Sequence, residues 1–412
     1  MKKPLSDEEY IKRMFKSYYV KAEINPPKDF SKREYAFTLT AKGEMIRHKS
    51  FDKWADVKDF LIRNAPLHVY YSSAYYLRPD APDMDAKEWI GADLIFDIDV
   101  DHIYTGCKEE HDKWSCLDCG FGARGVAPES CPQCSSKRID SKVWFCEKCL
   151  GIAKEETIKL VEDFLISDFG LSPSEIEIVF SGRRGFHIHV ESDVVKELDQ
   201  RARREIVDYV KGIGLQLQSK GKKTLYAPQL NAPGWHGRIA RGVYEFLSSH
   251  EISEIAQAIN FKNVTKLKEA VDYILSMLEK AKDEWPLKGD ARKVWLKAIE
   301  RVIALKRCEV DERVTTDIKR LIRLPGSLHG KTGLIVLKLK LSDFETFDPF
   351  DHAVAFRKGE IKVRVHDMPK ITFLNSEWGP YEEKVVEMPV GLAIYLLCSG
   401  NACLAHGDER EC

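Results

Sequence analysis

The sequence predicts a mixed α/β (α+β) protein that carries a cysteine-rich insertion and a helical subdomain. Three observations lead to this prediction. Short runs typical of strands occur in both the first and the last parts of the chain. A long stretch between them has apolar residues at helical spacing and is rich in Lys, Arg and Glu. Seven of the 11 cysteines fall between Cys107 and Cys149.

These patterns divide the 412 residues into four parts. We expect an α/β core from residues 1–193 and 307–390. The cysteine-rich insertion occupies residues 107–149 within this core. A mostly helical subdomain is expected over residues 194–306, and a C-terminal helix and tail over residues 391–412. We find no internal repeats and no low-complexity linker.

The composition is that of an ordinary globular protein, with 44% hydrophobic and 31% charged residues. The formal net charge of -1 argues against a general electrostatic hold on nucleic acid, so any such binding depends either on local basic residues or on a partner that supplies much of the affinity. No apolar run approaches the roughly 20 residues that span a bilayer. Lys2 and Lys3 are not followed by an apolar stretch, so we expect no signal peptide, no membrane contact and a cytoplasmic location.

An acidic strand is predicted over Ile90–Val100. Strand periodicity puts Asp97 and Asp99 on one face, about 7 Å apart along the chain. The opposite face is apolar, with Leu94, Phe96, Ile98 and Val100. Two neighbouring carboxylates repel each other unless a cation lies between them, and Mg²⁺ or Mn²⁺ prefers such hard oxygen ligands. The alternative is a solvated strand end without a metal.

A glycine- and arginine-rich turn joins the two strands predicted within Glu175–Ser192. Glycine permits close backbone approach, and the guanidinium groups of Arg183 and Arg184 match phosphate oxygens bidentately. On the outgoing strand, His187 is placed to donate a hydrogen bond to a phosphate oxygen. The alternative is a basic hairpin tip on the surface.

A second basic stretch lies at Thr316–Lys340, where six Lys or Arg residues accompany the single acid Asp317. The local excess of +5 contrasts with the chain's net charge of -1. Asp317 is either a salt-bridge partner or a third metal ligand for the acidic strand. Ser327, His329 and Lys331, which follow a Pro-Gly turn, are either nucleotide contacts or part of an ordinary loop.

The cysteine cluster has the spacing of zinc ligands, and an odd number of cysteines without a secretory signal does not indicate a disulfide framework. With His111 it offers eight ligands, enough for two tetrahedral zinc ions. Eleven residues separate the Cys-x-x-Cys pair at 116 and 119 from the pair at 131 and 134. Eleven residues also separate the latter from the pair at 146 and 149, so the pairing is open. A single zinc site and unliganded cysteines are the alternatives.

Taken together, these segments resemble the small, catalytic subunit of archaeal and eukaryotic DNA primases. That family carries an Asp-x-Asp strand, a zinc motif, a Ser-Gly-x-Arg-Gly-x-His hairpin, and later an Asp followed by Ser-x-His-x-Lys-Thr-Gly. The matching pieces here are DID at Asp97–Asp99, SGRRGFH at Ser181–His187, Asp317, and SLHGKTG at Ser327–Gly333. They occur in the family's order over more than half of the chain.

The resemblance implies a role for each matching residue. It implies that Asp97, Asp99 and Asp317 bind the catalytic Mg²⁺ or Mn²⁺. It implies that the incoming nucleotide contacts Ser181, Arg183, Arg184, His187, His329 and Lys331. It also implies a zinc knuckle formed by Cys107, His111, Cys146 and Cys149. The segment between them then carries a zinc ribbon of its own, formed by Cys116, Cys119, Cys131 and Cys134.

The resemblance further implies a two-metal nucleotidyltransferase that makes short primers on single-stranded DNA from nucleoside or deoxynucleoside triphosphates. Family members work with a large regulatory subunit, so we expect such a partner. Two alternatives stay open at this point. One is a related repair or translesion polymerase that mainly extends existing ends. The other is a non-catalytic zinc-ribbon protein that binds nucleic acid.

Overall fold

The computed structural model describes residues 5–41, 43–215, 229–280 and 287–405, with two short pieces at 225–226 and 284–285. About 40% of the described residues are in helices and 23% are in strands, and the strands are distributed over several small sheets. This confirms the predicted mixed α/β class.

Twenty strands are present in the described residues. In chain order they are β1 (Tyr35–Thr38), β2 (Met45–Lys49), β3 (His68–Ser72), β4 (Ala74–Tyr76), β5 (Trp89–Ala92), β6 (Leu94–Asp99), β7 (Lys113–Cys116), β8 (Gly122–Arg124), β9 (Ile139–Lys142), β10 (Ile176–Phe180), β11 (Gly185–Val190), β12 (Leu225–Tyr226), β13 (Glu284–Trp285), β14 (Leu321–Arg323), β15 (Leu337–Leu339), β16 (Glu360–Met368), β17 (Ile371–Phe373), β18 (Ser376–Trp378), β19 (Tyr381–Pro389) and β20 (Ala402–Leu404).

Fourteen α-helices accompany them in the same part of the chain. They are α1 (Asp7–Lys21), α2 (Trp54–Asn64), α3 (Lys108–His111), α4 (Glu147–Ile158), α5 (Asp193–Lys196), α6 (Gln200–Val210), α7 (Gly234–Ser249), α8 (Ile252–Ala258), α9 (Val264–Glu279), α10 (Gly289–Lys306), α11 (Glu312–Thr316), α12 (Leu341–Phe344), α13 (Pro349–His352) and α14 (Val390–Cys398). A π-helical segment, Lys159–Ile166, continues directly from α4.

The chain divides into two compact units. The first comprises residues 1–157, 173–203 and 311–412, and the second comprises residues 158–172 and 204–310. These bounds differ from the sequence-based division at three places: the segments 158–172 and 307–310 join the helical unit, and residues 194–203 stay with the first unit. The sequence-based division into separate domains stays a prediction.

Two four-stranded sheets form the centre of the first unit, in the orders β15-β10-β11-β6 and β14-β3-β1-β2. In the first of these sheets, β11 is antiparallel to both β10 and β6, and all of its side chains are buried. The apolar face of β6 is buried as the alternation predicts, because Phe96 and Ile98 are both fully inaccessible. The predicted hairpin within 175–192 is confirmed as β10 and β11.

The single strand predicted over Ile90–Val100 is wrong in its extent. The chain instead forms β5 and β6, which pair with different partners, β4 and β11. Asp93 lies between the two strands, where its carboxylate binds the buried guanidinium of Arg33 at 2.7 Å. The alternation of side chains along a strand does not reveal a buried ion pair with a distant residue. Only the folded chain therefore shows that the strand divides at Asp93.

The zinc-ribbon segment folds as a small sheet of its own, in the order β8-β7-β9. Another three-stranded sheet, β19-β16-β20, lies near the C-terminus. Its last strand includes Cys403, so part of the expected C-terminal tail is a paired strand. Residues 406–412, including Cys412, lie outside the described part of the chain.

The second unit is mostly helical, as the sequence predicts for this region. Helices α7, α9 and α10 bury one apolar face each, and α7 alone buries nine of its residues. The strands β12 and β13 form its two-stranded sheet. In neither unit is a described helix both long and apolar enough to cross a membrane. The cytoplasmic location stays a prediction.

Candidate functional site

Asp97 and Asp99 lie near the end of β6, next to the turn of the arginine hairpin. Antiparallel pairing places Asp97 opposite His187 and Asp99 opposite Gly185 on β11. A Cβ atom on Gly185 would lie 2.1 Å from the carbonyl oxygen of Ile98, so only glycine permits this close approach. The register of β6 and β11 therefore places the hairpin turn next to the carboxylates of Asp97 and Asp99.

A pocket of about 160 Å³ opens beside these carboxylates, between the two central sheets. One sheet and its hairpin turn contribute Asp97, Asp99, Ser181, Arg183 and His187. The rest of the lining comes from β3, from α11 and from the chain around β14: Tyr70, Val314, Arg320, Leu321, Ile322, Arg323 and His329. Six of the sequence-predicted site residues therefore line one pocket, although they are up to 232 residues apart.

The surroundings of Asp97 and Asp99 in this pocket disfavour the charged form of both carboxylates. Burial raises the pKa of Asp97 to about 7, with further increases from the charges of Asp99 and Asp311. Arg320 and Arg323 oppose that increase. Burial also raises the pKa of Asp99, with the neighbouring Asp101 as the next cause. A site that disfavours its own carboxylate charges in this way is one that a bound cation would stabilise.

His187 is neutral in this setting, since burial and then the nearby His189, Arg323 and Arg320 hold its pKa well below the usual value. Its Nε2 lies 3.7 Å from Oδ1 of Asp97. Its Nδ1 is buried and has no hydrogen-bond partner among the described residues.

The two hairpin arginines differ in exposure. Arg183 lines the pocket and is 30% exposed, whereas Arg184 is 2% exposed and is absent from the lining. Arg184 Nη1 donates a 2.6 Å hydrogen bond to Asp101, and its Nη2 lies 3.8 Å from the carboxylate of Asp112. Arg184 was predicted to contact the nucleotide, but the structure gives it two carboxylate partners behind the pocket.

The loop Ser327–Gly333 packs against the hairpin turn and is hydrogen-bonded to it. The hydroxyl of Thr332 donates a 2.5 Å hydrogen bond to the carbonyl oxygen of Gly182, and a Cβ on Gly182 would lie 2.7 Å from Cβ of His329. Within this loop, Ser327 and His329 are buried, and only His329 lines the pocket. Lys331 is exposed and lies outside the lining.

The structure does not bring Asp317 to the pocket. Its carboxylate accepts a 2.9 Å hydrogen bond from the backbone N–H of Lys319. The next residue, Ile318, accepts a hydrogen bond through its carbonyl from the indole of Trp89 on β5. The segment of Asp317 therefore runs beside β5 and not at the end of β6 that carries the acidic pair, and a metal-binding role for Asp317 stays a prediction.

Asp311, which no sequence motif selects, is the carboxylate that acts on Asp97 in place of Asp317. Its backbone N–H donates a 2.9 Å hydrogen bond to the carbonyl oxygen of Asp97, and its charge raises the pKa of Asp97. Asp311 also caps α11, accepting a 2.8 Å hydrogen bond from the backbone N–H of Arg313. The one sequence feature that could have pointed to Asp311 is its position directly before a short helix, since it does not belong to an Asp-x-Asp motif.

Three more pocket residues with polar side chains were not selected from the sequence, namely Tyr70, Arg320 and Arg323. The two arginines belong to the basic stretch, whose excess charge was the available signal. Arg323 donates a 3.3 Å hydrogen bond to the hydroxyl of Tyr70 and lies over its ring. Nε of Arg320 is buried without a partner in the described residues.

The cysteines and His111 form two compact clusters, in each of which all ligand atoms lie within 4.8 Å of one another. One is Cys107, His111, Cys146 and Cys149, and the other is Cys116, Cys119, Cys131 and Cys134. These sets match the predicted pairing and exclude the shifted one. Both clusters could hold zinc, because sulfur atoms at 3.4–3.6 Å approach the separation of about 3.8 Å expected around a tetrahedral ion.

The His111 cluster has an outer hydrogen-bonding partner. Nε2 of His111 lies 3.5 Å from Sγ of Cys149, and Nδ1 lies 2.7 Å from Oδ1 of Asp112. A carboxylate at that distance fixes the ring orientation of a zinc-binding histidine. The same carboxylate accepts a hydrogen bond from the backbone N–H of Trp144 and lies near the guanidinium of Arg184. Asp112 therefore contacts both the His111 cluster and the arginine hairpin.

Comparison with known proteins identifies the group to which this site belongs. Residues 135–341 match the family model of the DNA primase small subunit. A DNA primase small subunit of Methanococcoides burtonii is 35% identical, with 97% of this chain and 98% of the relative covered. The chain belongs to the DNA primase small subunit family. Family relatives from Methanosarcina barkeri and Thermoplasma volcanium are 34% and 33% identical, also over nearly their full lengths.

Family membership confirms the resemblance drawn from the motifs. It makes the protein a nucleotidyltransferase and a catalytic primase subunit, as the primer-synthesis hypothesis predicts. The repair-polymerase and non-catalytic alternatives are not favoured.

Proposed function

We propose that the pocket between the central sheets binds an incoming nucleoside triphosphate, and that Asp97, Asp99 and Asp311 hold divalent metal for primer synthesis on single-stranded DNA. The observation that carries this proposal is the arrangement of charge. Two carboxylates of β6 face three guanidinium groups, those of Arg183, Arg320 and Arg323, across one small pocket.

The carboxylates fit a divalent cation. The raised pKa values of Asp97 and Asp99 reflect burial and mutual repulsion, which a cation between the oxygens would remove. Carboxylate oxygens are the ligands that Mg²⁺ and Mn²⁺ prefer. When bound, the metal would supply Lewis-acid activation of the attacking 3′-hydroxyl and neutralisation of the triphosphate. The chain's own carboxylates would hold that metal at the end of β6.

The arginines would bind the triphosphate. With Asp97 and Asp99 ionised, as metal binding requires, the charged groups in the lining sum to about +1, three guanidiniums against two carboxylates, since His187 and His329 are held neutral. A nucleoside triphosphate carries about four negative charges, so protein groups alone leave an excess of negative charge that divalent metal offsets. Arg183, Arg320 and Arg323 would then stabilise the charge that develops on pyrophosphate as it leaves.

The neutral side chains would orient the phosphates. A neutral imidazole carries one N–H, and His187 and His329 both line the pocket, so each can donate one hydrogen bond to a phosphate oxygen. The hydroxyl of Ser181 can do the same. Lys331 is exposed beside the pocket and would reach the triphosphate only by extending its side chain. Arg184 would act through Asp101, as a positioning residue for the hairpin.

Both cysteine clusters would bind structural zinc. Each offers four protein ligands, a full tetrahedral set that leaves no position for substrate. Zinc at the His111 cluster would hold Asp112 in place behind the arginine hairpin. Zinc at the ribbon cluster would hold together the small sheet β8-β7-β9.

The large subunit is the expected partner. A small subunit implies a larger one, and a chain whose formal net charge is -1 has little general affinity for a polyanionic template. We therefore propose that a large subunit contributes to template binding and to the first dinucleotide. Both nucleoside and deoxynucleoside triphosphates remain candidate substrates.

The test is dinucleotide synthesis and extension on unprimed single-stranded DNA, with and without the large subunit. Asp97→Asn is the inactivating variant, and Asp317→Asn is the matched control. Product from the wild type and the control, but not from Asp97→Asn, supports the proposal. Extension of pre-primed DNA alone, even with the large subunit, would support an end-extending polymerase instead. Full activity of Asp97→Asn would exclude the proposed metal site.

A further inference from the structure

His68 lies at the first position of β3, and no step of the reaction proposed above uses it. Its Nδ1 accepts two hydrogen bonds, from Nη1 of Arg323 at 2.7 Å and from the backbone N–H of Gly330 at 3.2 Å. These donors come from separate segments, because Arg323 ends β14 and Gly330 is at the centre of the loop Ser327–Gly333. One nitrogen atom thus joins a pocket arginine to the loop that carries His329.

The packing around His68 leaves little freedom for this loop. A Cβ atom on Gly330 would lie 2.9 Å from Nε2 of His68 and 2.9 Å from the carbonyl oxygen of Leu67, so the loop backbone lies directly against the start of β3. The ring of His68 also meets the ring of His329 edge to face, with centroids 4.9 Å apart. The loop can therefore keep this position only with a glycine at 330.

The chemistry at Nδ1 is that of an acceptor. A nitrogen that accepts from an arginine at 2.7 Å must present a lone pair, so the proton of the neutral ring resides on Nε2. Burial, then the charges of Arg323 and Lys331, lower the pKa of His68 to about 3. A protonated ring at this place would put two cations in contact. His68 is therefore unsuited to acid–base catalysis near neutral pH.

We infer that His68 is a positioning residue for nucleotide binding: its Nδ1 orients the guanidinium of Arg323 toward the pocket and fixes the loop Ser327–Gly333 beside it. The inference rests on the proposed function, since it assumes that Arg323 and this loop contact the triphosphate. Without the acceptor, the guanidinium loses one of the two side-chain partners that it has among the described residues, and the hydroxyl of Tyr70 is the one that remains.

The variants His68→Asn and His68→Gln distinguish a role of Nδ1 as a hydrogen-bond acceptor from a role of the ring in filling space. Asn carries its carbonyl oxygen close to the place of Nδ1, whereas Gln carries the same group further out, close to the place of Nε2. We expect His68→Asn to keep the KM for the nucleotide within about threefold of wild type, and His68→Gln and His68→Leu to raise it about 10- to 100-fold, the value of a hydrogen bond to a charged group. The turnover number kcat at saturating nucleotide should change much less than KM.

The experiment measures steady-state extension of a primed template and direct binding of a non-hydrolysable nucleoside triphosphate with Mn²⁺, using the full-length chain with its large subunit. Zinc content and melting temperature report whether each variant is folded. Impaired binding in the Gln and Leu variants, with recovery in Asn, supports the inference. Wild-type KM in the Leu variant overturns it, as does equal impairment of Asn and Gln. If wild type itself binds no nucleotide, the proposed site fails as well.

Discussion

The backbone N–H of Asp311 donates a 2.9 Å hydrogen bond to the carbonyl oxygen of Asp97. This contact links the start of α11 to the acidic strand and places a third carboxylate beside the pair on β6. The segment of Asp317, six residues later, instead runs beside β5, where the indole of Trp89 donates a hydrogen bond to the carbonyl oxygen of Ile318. The geometry therefore favours Asp311 over Asp317 as the third metal ligand.

Asp311→Asn is expected to reduce the rate of nucleotide addition by about 100-fold or more, since removal of a metal-binding carboxylate costs several kcal/mol of transition-state stabilisation. Asn retains the helix-capping oxygen, so stability should change little. Asp317→Asn should keep activity within a few-fold of wild type. Extension assays on a primed template check both variants, and a larger loss for Asp317→Asn would reverse the assignment.

The raised pKa of Asp97 predicts a pH-dependent stability in the absence of divalent metal. An acid whose pKa rises from 3.8 to about 7 on folding holds its proton more tightly in the folded protein. Its stabilising contribution is thus complete below about pH 4 and is lost as the pH rises through 7. We expect metal-free Asp97→Asn to melt several degrees above metal-free wild type at pH 8, with a much smaller difference at pH 5.

Added Mn²⁺ should remove most of that difference at pH 8, because it stabilises wild type and not the variant. Thermal melting of both proteins, with chelator and with Mn²⁺, measures the effect. Equal melting temperatures at pH 8 without metal would show that Asp97 is not under electrostatic strain.

The cluster geometry predicts two zinc ions per chain, with different consequences when each is lost. Cys134→Ser should remove one equivalent of zinc and leave primed extension near wild type, since no residue of the ribbon sheet lines the pocket. Cys146→Ser should also remove one equivalent, but it should impair extension, because His111 then no longer fixes Asp112 behind Arg184. Metal analysis with primed-extension assays checks both. A single equivalent in wild type would contradict the two-site arrangement.

The two arginines from the basic stretch are expected to contribute to nucleotide affinity. Arg320→Ala and Arg323→Ala should each raise the KM for the nucleotide about 10- to 100-fold through lost charge-assisted hydrogen bonds. Lys319→Ala is the matched control from the same stretch, because Lys319 pairs with the highly exposed Asp85 at 3.4 Å. Steady-state kinetics on a primed template give the three values. An effect of Lys319→Ala as large as the others would indicate general charge attraction instead of a specific pocket.

The sequence determined the features that depend on local pattern. Alternation along β6 set which residues are buried and which carry carboxylates, since successive side chains of a strand point to opposite faces. The spacing of Cys-x-x-Cys pairs indicated two four-ligand sets, and the Gly-Arg-Arg-Gly segment indicated a hairpin turn. The order of these motifs was enough to indicate the family.

Only the tertiary structure decided which distant residues meet. Asp311 reaches Asp97 through a contact between a helix start and a strand, whereas Asp317 lies beside β5, and no local periodicity distinguishes two aspartates six residues apart. Burial of Arg184 between Asp101 and Asp112 likewise depends on how the His111 cluster packs behind the hairpin. His68 joins Arg323 to Gly330 across two segments of the chain. Such contacts arise from sheet register and from the packing of one sheet against the other, which a linear pattern of residues does not contain.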